Sequence, residues 1–102
     1  MEEPFDQATV RGFIVMILDG PGMTVFTKQA KETFMAHGMT SVDAVNVLRG
    51  GHIGKGVKRA SGWTYRAETR SMSVDFSFRG HERDRSAPPN ELVVLGARRT
   101  NR

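Results

Sequence analysis

The sequence predicts an α+β fold, with helices first and a small antiparallel sheet of three to four strands after them. Three observations lead there. Apolar residues recur at helical spacing between Val10 and Leu18, apolar and polar residues alternate in GWTYRAE and MSVDFSF, and ELVVLGA is an almost continuous apolar run. Such a run belongs to a central strand, covered on both faces.

Asp6 has a side-chain oxygen suited to cap a first helix running to about Asp19. Val10, Phe13, Ile14, Ile17 and Leu18 form its buried stripe, and Gly20-Pro21-Gly22 ends it. The segment MTVF is short and β-branched enough for a strand. Thr27 then caps a helix over residues 28–37, which Gly38 closes in the left-handed conformation. Thr40 or Ser41 caps a third helix, barely two turns long, with Val42, Val45 and Leu48 as its apolar face and Gly50-Gly51 as its stop.

Residues 52–62 contain three glycines, two lysines and one arginine, the composition of an irregular strand or a mobile basic loop. Trp63, Tyr65 and Ala67 share one face of the next strand, opposite Thr64, Arg66 and Glu68. Met72, Val74, Phe76 and Phe78 repeat the pattern against Ser73, Asp75, Ser77 and Arg79, the clearest strand in the chain. Residues 80–90 read as a solvated, proline-broken loop, residues 91–97 as the central strand and residues 99–102 as a basic tail.

A length of 102 residues, 38% of them hydrophobic, allows a single domain over residues 1–102 with one modest core. The absence of cysteine excludes disulfides, thiolate metal sites and thiol nucleophiles. No apolar run is long enough for a membrane, and the acidic start lacks the basic flank of a signal peptide, so a cytoplasmic protein with no membrane partner is expected. Gly54 and Gly56 lack the Gly-Lys-Ser/Thr ending of a nucleotide loop. Residues 1–43 carry three basic and six acidic side chains, whereas residues 44–102 carry twelve and five. If the second half forms the sheet, one side of the domain is cationic and attracts a polyanion.

The pieces TKQAKETFMAHGMTSVDAVNVLRGG, WTYR and VVLGARR together resemble a family of small bacterial domains of unknown function, itself similar to the RelE-like, BrnT-like and MqsR-like toxins of toxin–antitoxin pairs. That resemblance spans about three quarters of the chain. It implies a RelE-like fold and a metal-independent, mRNA-interferase-type endoribonuclease that needs no cofactor. Its implied partners are RNA, free or ribosome-associated, and a cognate antitoxin or other acidic protein. One position departs from the family pattern: Gln29 stands where a histidine is usual, and glutamine cannot exchange a proton near neutral pH.

RNA cleavage of this type needs a proton acceptor, a proton donor and cationic donors for the charge that develops on phosphorus. The catalytic candidates are Lys28 at a helix start, His52 as a stand-in base, Arg66 and Arg98. Lys55, Lys58, Arg59, Tyr65 and Arg79 are the candidate RNA-binding residues, with arginine matched to phosphate and tyrosine to a splayed base. Trp63 and Tyr65 are equally well read as core aromatics, since Arg66 faces away from them. His37 precedes Gly38, where a cation favours a helix C-terminus. His81 lies near Glu82 and Asp84, but Arg83 and Arg85 oppose a cation there, so no metal is expected. Three readings stay open: a ribonuclease toxin, an RNA-binding module that does not cleave, and a protein-interaction domain with an acidic partner.

Overall fold

The computed structural model describes residues 3–60, 62–81 and 87–99. Asp6 accepts a hydrogen bond from the Thr9 N–H and starts α1 (Gln7–Asp19). This satisfies one of the free N–H groups of the first turn. β1 (Met23–Phe26) follows, and Thr27 caps α2 (Lys28–Ala36) by accepting from the Ala30 N–H. Gly38, at φ 62°, occupies the left-handed region expected of it. Thr40 and Asp43 form a reciprocal capping box at the start of α3 (Ser41–Gly50).

α3 has 10 residues rather than barely two turns, and the face it buries keeps Leu48 of the expected stripe but not Val42. Ala44, Val47 and Leu48 are buried, whereas Val42 is 65% exposed. Both stripes have helical spacing.

Residues 52–59 form two short edge strands, β2 (His52–Ile53) and β3 (Val57–Arg59), which pair with successive parts of β4 (Gly62–Glu68). β4 runs antiparallel to β5 (Met72–Arg79), and β5 to β6 (Glu91–Arg99). β1 then lies parallel to β6, from Met23 opposite Glu91 to Phe26 opposite Val94. The sheet is therefore mixed, with six strands in the order β1-β6-β5-β4-β2 and β3 beside β4, not an antiparallel sheet of three to four. The pairing of β1 with β6 joins segments far apart in the chain, which local periodicity does not encode. The segment ELVVLGA is central, as its apolar run predicts.

β1 ends at Phe26, and α2 takes over the edge of β6 beyond it. The Thr27 N–H donates to the Val94 carbonyl, and the Ala97 N–H donates to Thr33 Oγ1 at 3.0 Å. The Arg99 N–H reaches His37 Nδ1 at 3.5 Å, and its guanidinium donates to the carbonyls of His37 and Gly38. Side chains of a helix thus replace a strand along an edge that would otherwise stay open. Arg99 is the cation at the α2 C-terminus, the place the sequence assigns to His37.

The core lies between one face of the sheet and the helices α1 and α3. Tyr65, Ala67, Val74, Phe76, Phe78, Leu92 and Val94 project into it from the strands. Arg11 ties the two helices together by donating to the carbonyls of Arg49 and Gly51. A Cβ on Gly51 would stand 2.6 Å from the Val47 carbonyl oxygen and 3.0 Å from that of Glu68, so α3 meets β4 where only glycine fits. Of the loop over residues 80–90, His81 and Pro89 are buried rather than solvated, and residues 82–86 lie outside the described residues. So do residues 100–102 of the tail. No helix among the described residues is long and apolar enough to cross a membrane.

Candidate nucleic-acid interface

Alternation in the strands sends Thr64 and Arg66 of β4 and Ser73, Asp75 and Ser77 of β5 to the sheet face opposite the core, and pairing with Ser73 puts Arg98 of β6 there as well. α2 flanks this face at the β6 edge. The side chains of Gln29, Thr33 and the C-cap residue His37 are spaced four apart, so they form one stripe toward the sheet, while Ala30 and Phe34 turn into the core. Between that stripe and the strands runs a groove of about 420 Å³, with Asp75, Leu95 and Gly96 along it and Arg98 and Arg59 beside them. A smaller extension of about 250 Å³ continues past Asp75 and Arg66 to Lys55 and Val57.

The groove owes its depth to an irregularity in β6. Asp75 pairs with Gly96 and Phe76 with Val94, so Leu95 is an extra residue in the ladder. Gly96 therefore faces Asp75 without a side chain, and a Cβ there would still be 3.9 Å from its nearest neighbour, Thr33 Oγ1.

Arg66 Nε donates to Asp75 Oδ1 at 2.7 Å across the two strands, and both side chains are over a third exposed. The hydrogen bond to Asp75, and then its charge, hold the Arg66 guanidinium protonated even more firmly than usual. Half-exposed pairs of this sort contribute on the order of 0–1 kcal/mol to stability. Their geometric effect is larger, since Arg66 fixes the orientation of the carboxylate. Asp75 Oδ2 has no hydrogen-bond partner among the described residues.

Arg98 Nε reaches Ser73 Oγ at 3.4 Å and meets no carboxylate among the described residues. It lies one row to one side of Asp75, because Ser73 pairs with it and stands two residues before Asp75. Arg59, opposite Gly62, enters from the other end, also without a carboxylate partner among the described residues. Arg79 shares the face but lies two rows from Asp75, roughly 13 Å along the strand.

The remaining sequence candidates are dispersed. Lys28 is the exposed first residue of α2 and does not line the groove. His52 lines a separate depression with Gln7, Ala8 and Arg11. Lys58 stands over the Trp63 ring at 6.0 Å on the core side of β4, and Trp63 itself packs against the core.

Tyr65 is 1% exposed and cannot stack a base. Its ring lies among those of Phe5, Phe76 and Phe78, which is where strand alternation placed it in the core reading. Its hydroxyl donates to Glu3 Oε2 at 2.7 Å and accepts from the Phe5 N–H at 3.0 Å. Glu3 Oε1 meets His81 Nε2 at 2.7 Å. These polar groups close the end of the aromatic cluster. No local signal links Glu3 to residues this far along the chain.

Burial pushes the Tyr65 phenol well above its ordinary 10.0, and Glu3 adds to the shift against a lowering by the Phe5 N–H. The unfolded chain loses this proton near 10.0 and the folded one does not, so this group's stability contribution is whole below that pH and declines as pH rises beyond it. Tyr65 is the only tyrosine, so tyrosinate absorbance reports it alone. That absorbance should stay flat through pH 10.0 and appear only together with loss of far-ultraviolet circular dichroism. Ionisation of the folded protein near the ordinary value would contradict the burial.

The one groove residue that sequence reasoning assigned elsewhere is His37. Its Nδ1 accepts from the Arg99 N–H, so a neutral ring carries its proton on Nε2, where it can donate toward an anion in the groove. The spacing Gln29, Thr33, His37 was available in the sequence as a signal. Comparison of the chain with protein-family models, curated proteins and solved structures finds no match.

Proposed function

We propose that the groove between α2 and the open face of the sheet binds single-stranded RNA. The observation that carries this reading is the approach of Arg98 and Arg59 to one concave surface, neither of them held by a carboxylate among the described residues. Free guanidinium groups form bidentate contacts with phosphate oxygens. The excess of basic residues in the second half of the chain attracts the polyanion over longer range.

A second reading, favoured by His37, is metal-independent cleavage by a RelE-like toxin that a partner protein would hold silent. A proton-carrying imidazole lies in the groove with Arg98, supplying a donor for a phosphate or a leaving oxygen. A proton acceptor is less well provided, because His37 Nδ1 is engaged by Arg99, Gln29 cannot serve and the Asp75 carboxylate is held by Arg66. RNA binding without scission is therefore the primary reading.

Fluorescence anisotropy with labelled oligouridine across a salt series tests it. Affinity should fall linearly on logarithmic axes as salt rises, with a slope near −0.7 for each phosphate neutralised. Intact RNA after incubation in excess EDTA is expected, whereas fragments with 2′,3′-cyclic phosphate ends would establish the cleavage reading. No binding even at low salt would exclude both.

A further inference from the structure

We infer that Asp75 reads a guanine base on the floor of the groove, a step that rests on the RNA-binding reading and gives it a base preference. A carboxylate between Arg98 and Arg59 repels phosphate, so a bound strand keeps its phosphates at the two arginines. What then faces Asp75 is a base.

The surroundings of Asp75 suit a flat ring with donors on its edge. Leu95 offers an apolar surface, and Gly96 leaves the space opposite the carboxylate empty. Arg66 holds Oδ1 from one side at 2.7 Å, and Oδ2 has no partner among the described residues. A carboxylate only accepts hydrogen bonds, so it selects a base edge that only donates. Guanine alone among the four bases presents two adjacent donors, N1–H and the N2 amino group, on its Watson–Crick edge. Adenine and cytosine place an acceptor nitrogen beside their amino group, and uracil flanks its single N–H with two carbonyl oxygens. Each of these sets a lone pair against the carboxylate, whereas guanine pairs with both of its oxygens.

The test compares short oligouridines that differ at one central position, carrying guanosine, inosine, adenosine or uridine, by anisotropy with the full chain. Guanosine should bind about tenfold more tightly than uridine or adenosine, the usual scale for a bidentate base contact. Inosine, which lacks only the N2 amino group, should fall between them. Asp75→Asn replaces one acceptor by a donor and should collapse the difference between guanosine and inosine, with folding checked by circular dichroism. Should the variant fail to fold, the inosine substitution decides in the native protein. Binding of all four oligonucleotides with equal affinity would overturn the role of Asp75 and leave RNA binding intact. Binding of none would overturn both.

Discussion

Replacing Arg59 and Arg98 together by alanine should weaken single-stranded RNA binding about a hundredfold at moderate salt, with the fold unchanged. Each arginine is exposed and is held by no carboxylate among the described residues. Their loss therefore removes ligand contacts without opening the core. A charge-assisted hydrogen bond contributes roughly 1.5 kcal/mol or more, about a factor of ten. The same change should flatten the logarithmic salt dependence by about 1.4, the sum for two phosphates on a single strand. The two readouts together are diagnostic. A loss of affinity with an unchanged salt slope would mean that the arginines do not touch phosphate, and unchanged affinity would place the RNA elsewhere.

The second large effect concerns the layer that holds the groove in shape. Phe76→Ala should cost roughly 3–5 kcal/mol, the range for deleting a buried ring and leaving a cavity. Phe76 is 0% exposed and contacts the rings of Tyr65 and Phe78 at 5.8 and 5.7 Å. It sits opposite Tyr65 on β4 and Val94 on β6, so its cavity opens between α1, α3 and the central strands. A domain of this size has only about 5–15 kcal/mol in total. The urea midpoint should therefore fall steeply, with little change in slope. The side chain points away from the groove, so molecules that remain folded should bind RNA as before. A small loss of stability would mean that the aromatic layer is less tightly packed than the ring distances indicate.

Most of the local structure was legible because it depends on neighbours in the chain. Asp6, Thr27 and Thr40 cap the helices that follow them, and Gly38 takes the positive φ its place requires. The alternation of Met72, Val74, Phe76 and Phe78 with polar residues fixed which side of β5 meets the core. It also put Arg66 and Asp75 on the other side, although it did not tell that they would pair. What eluded the sequence depends on distant partners. The parallel contact of β1 with β6, the use of Thr33 and His37 as edge acceptors, and the Glu3–Tyr65–His81 contacts each join residues more than fifty positions apart. The choice of Ala44, Val47 and Leu48 over Val42 and Val45 is a rotation of α3 that only its packing on the sheet decides.

The site was legible to the same extent. Alternation put Arg66 on the open face, Arg98 reaches it only because the extra residue Leu95 shifts the register of β6, and Arg59 joins them because the β3–β4 hairpin pairs it with Gly62. The extra residue Leu95, which sets Gly96 against Asp75 and creates the floor, interrupts a run of apolar residues that reads as regular. Lys28 and His52 were chosen for their chemistry, and the fold sends them to other surfaces.

The central claim is that RNA occupies the groove bounded by α2 and the open strands. Amide chemical-shift mapping during titration with a short oligonucleotide tests it most directly. The account predicts that shifts concentrate at Thr64, Ser73, Asp75, Gly96 and Arg98 and along the Gln29, Thr33 and His37 stripe, with α1 and α3 unaffected. Shifts centred on α1 or on the depression around His52, with the groove silent, would contradict it.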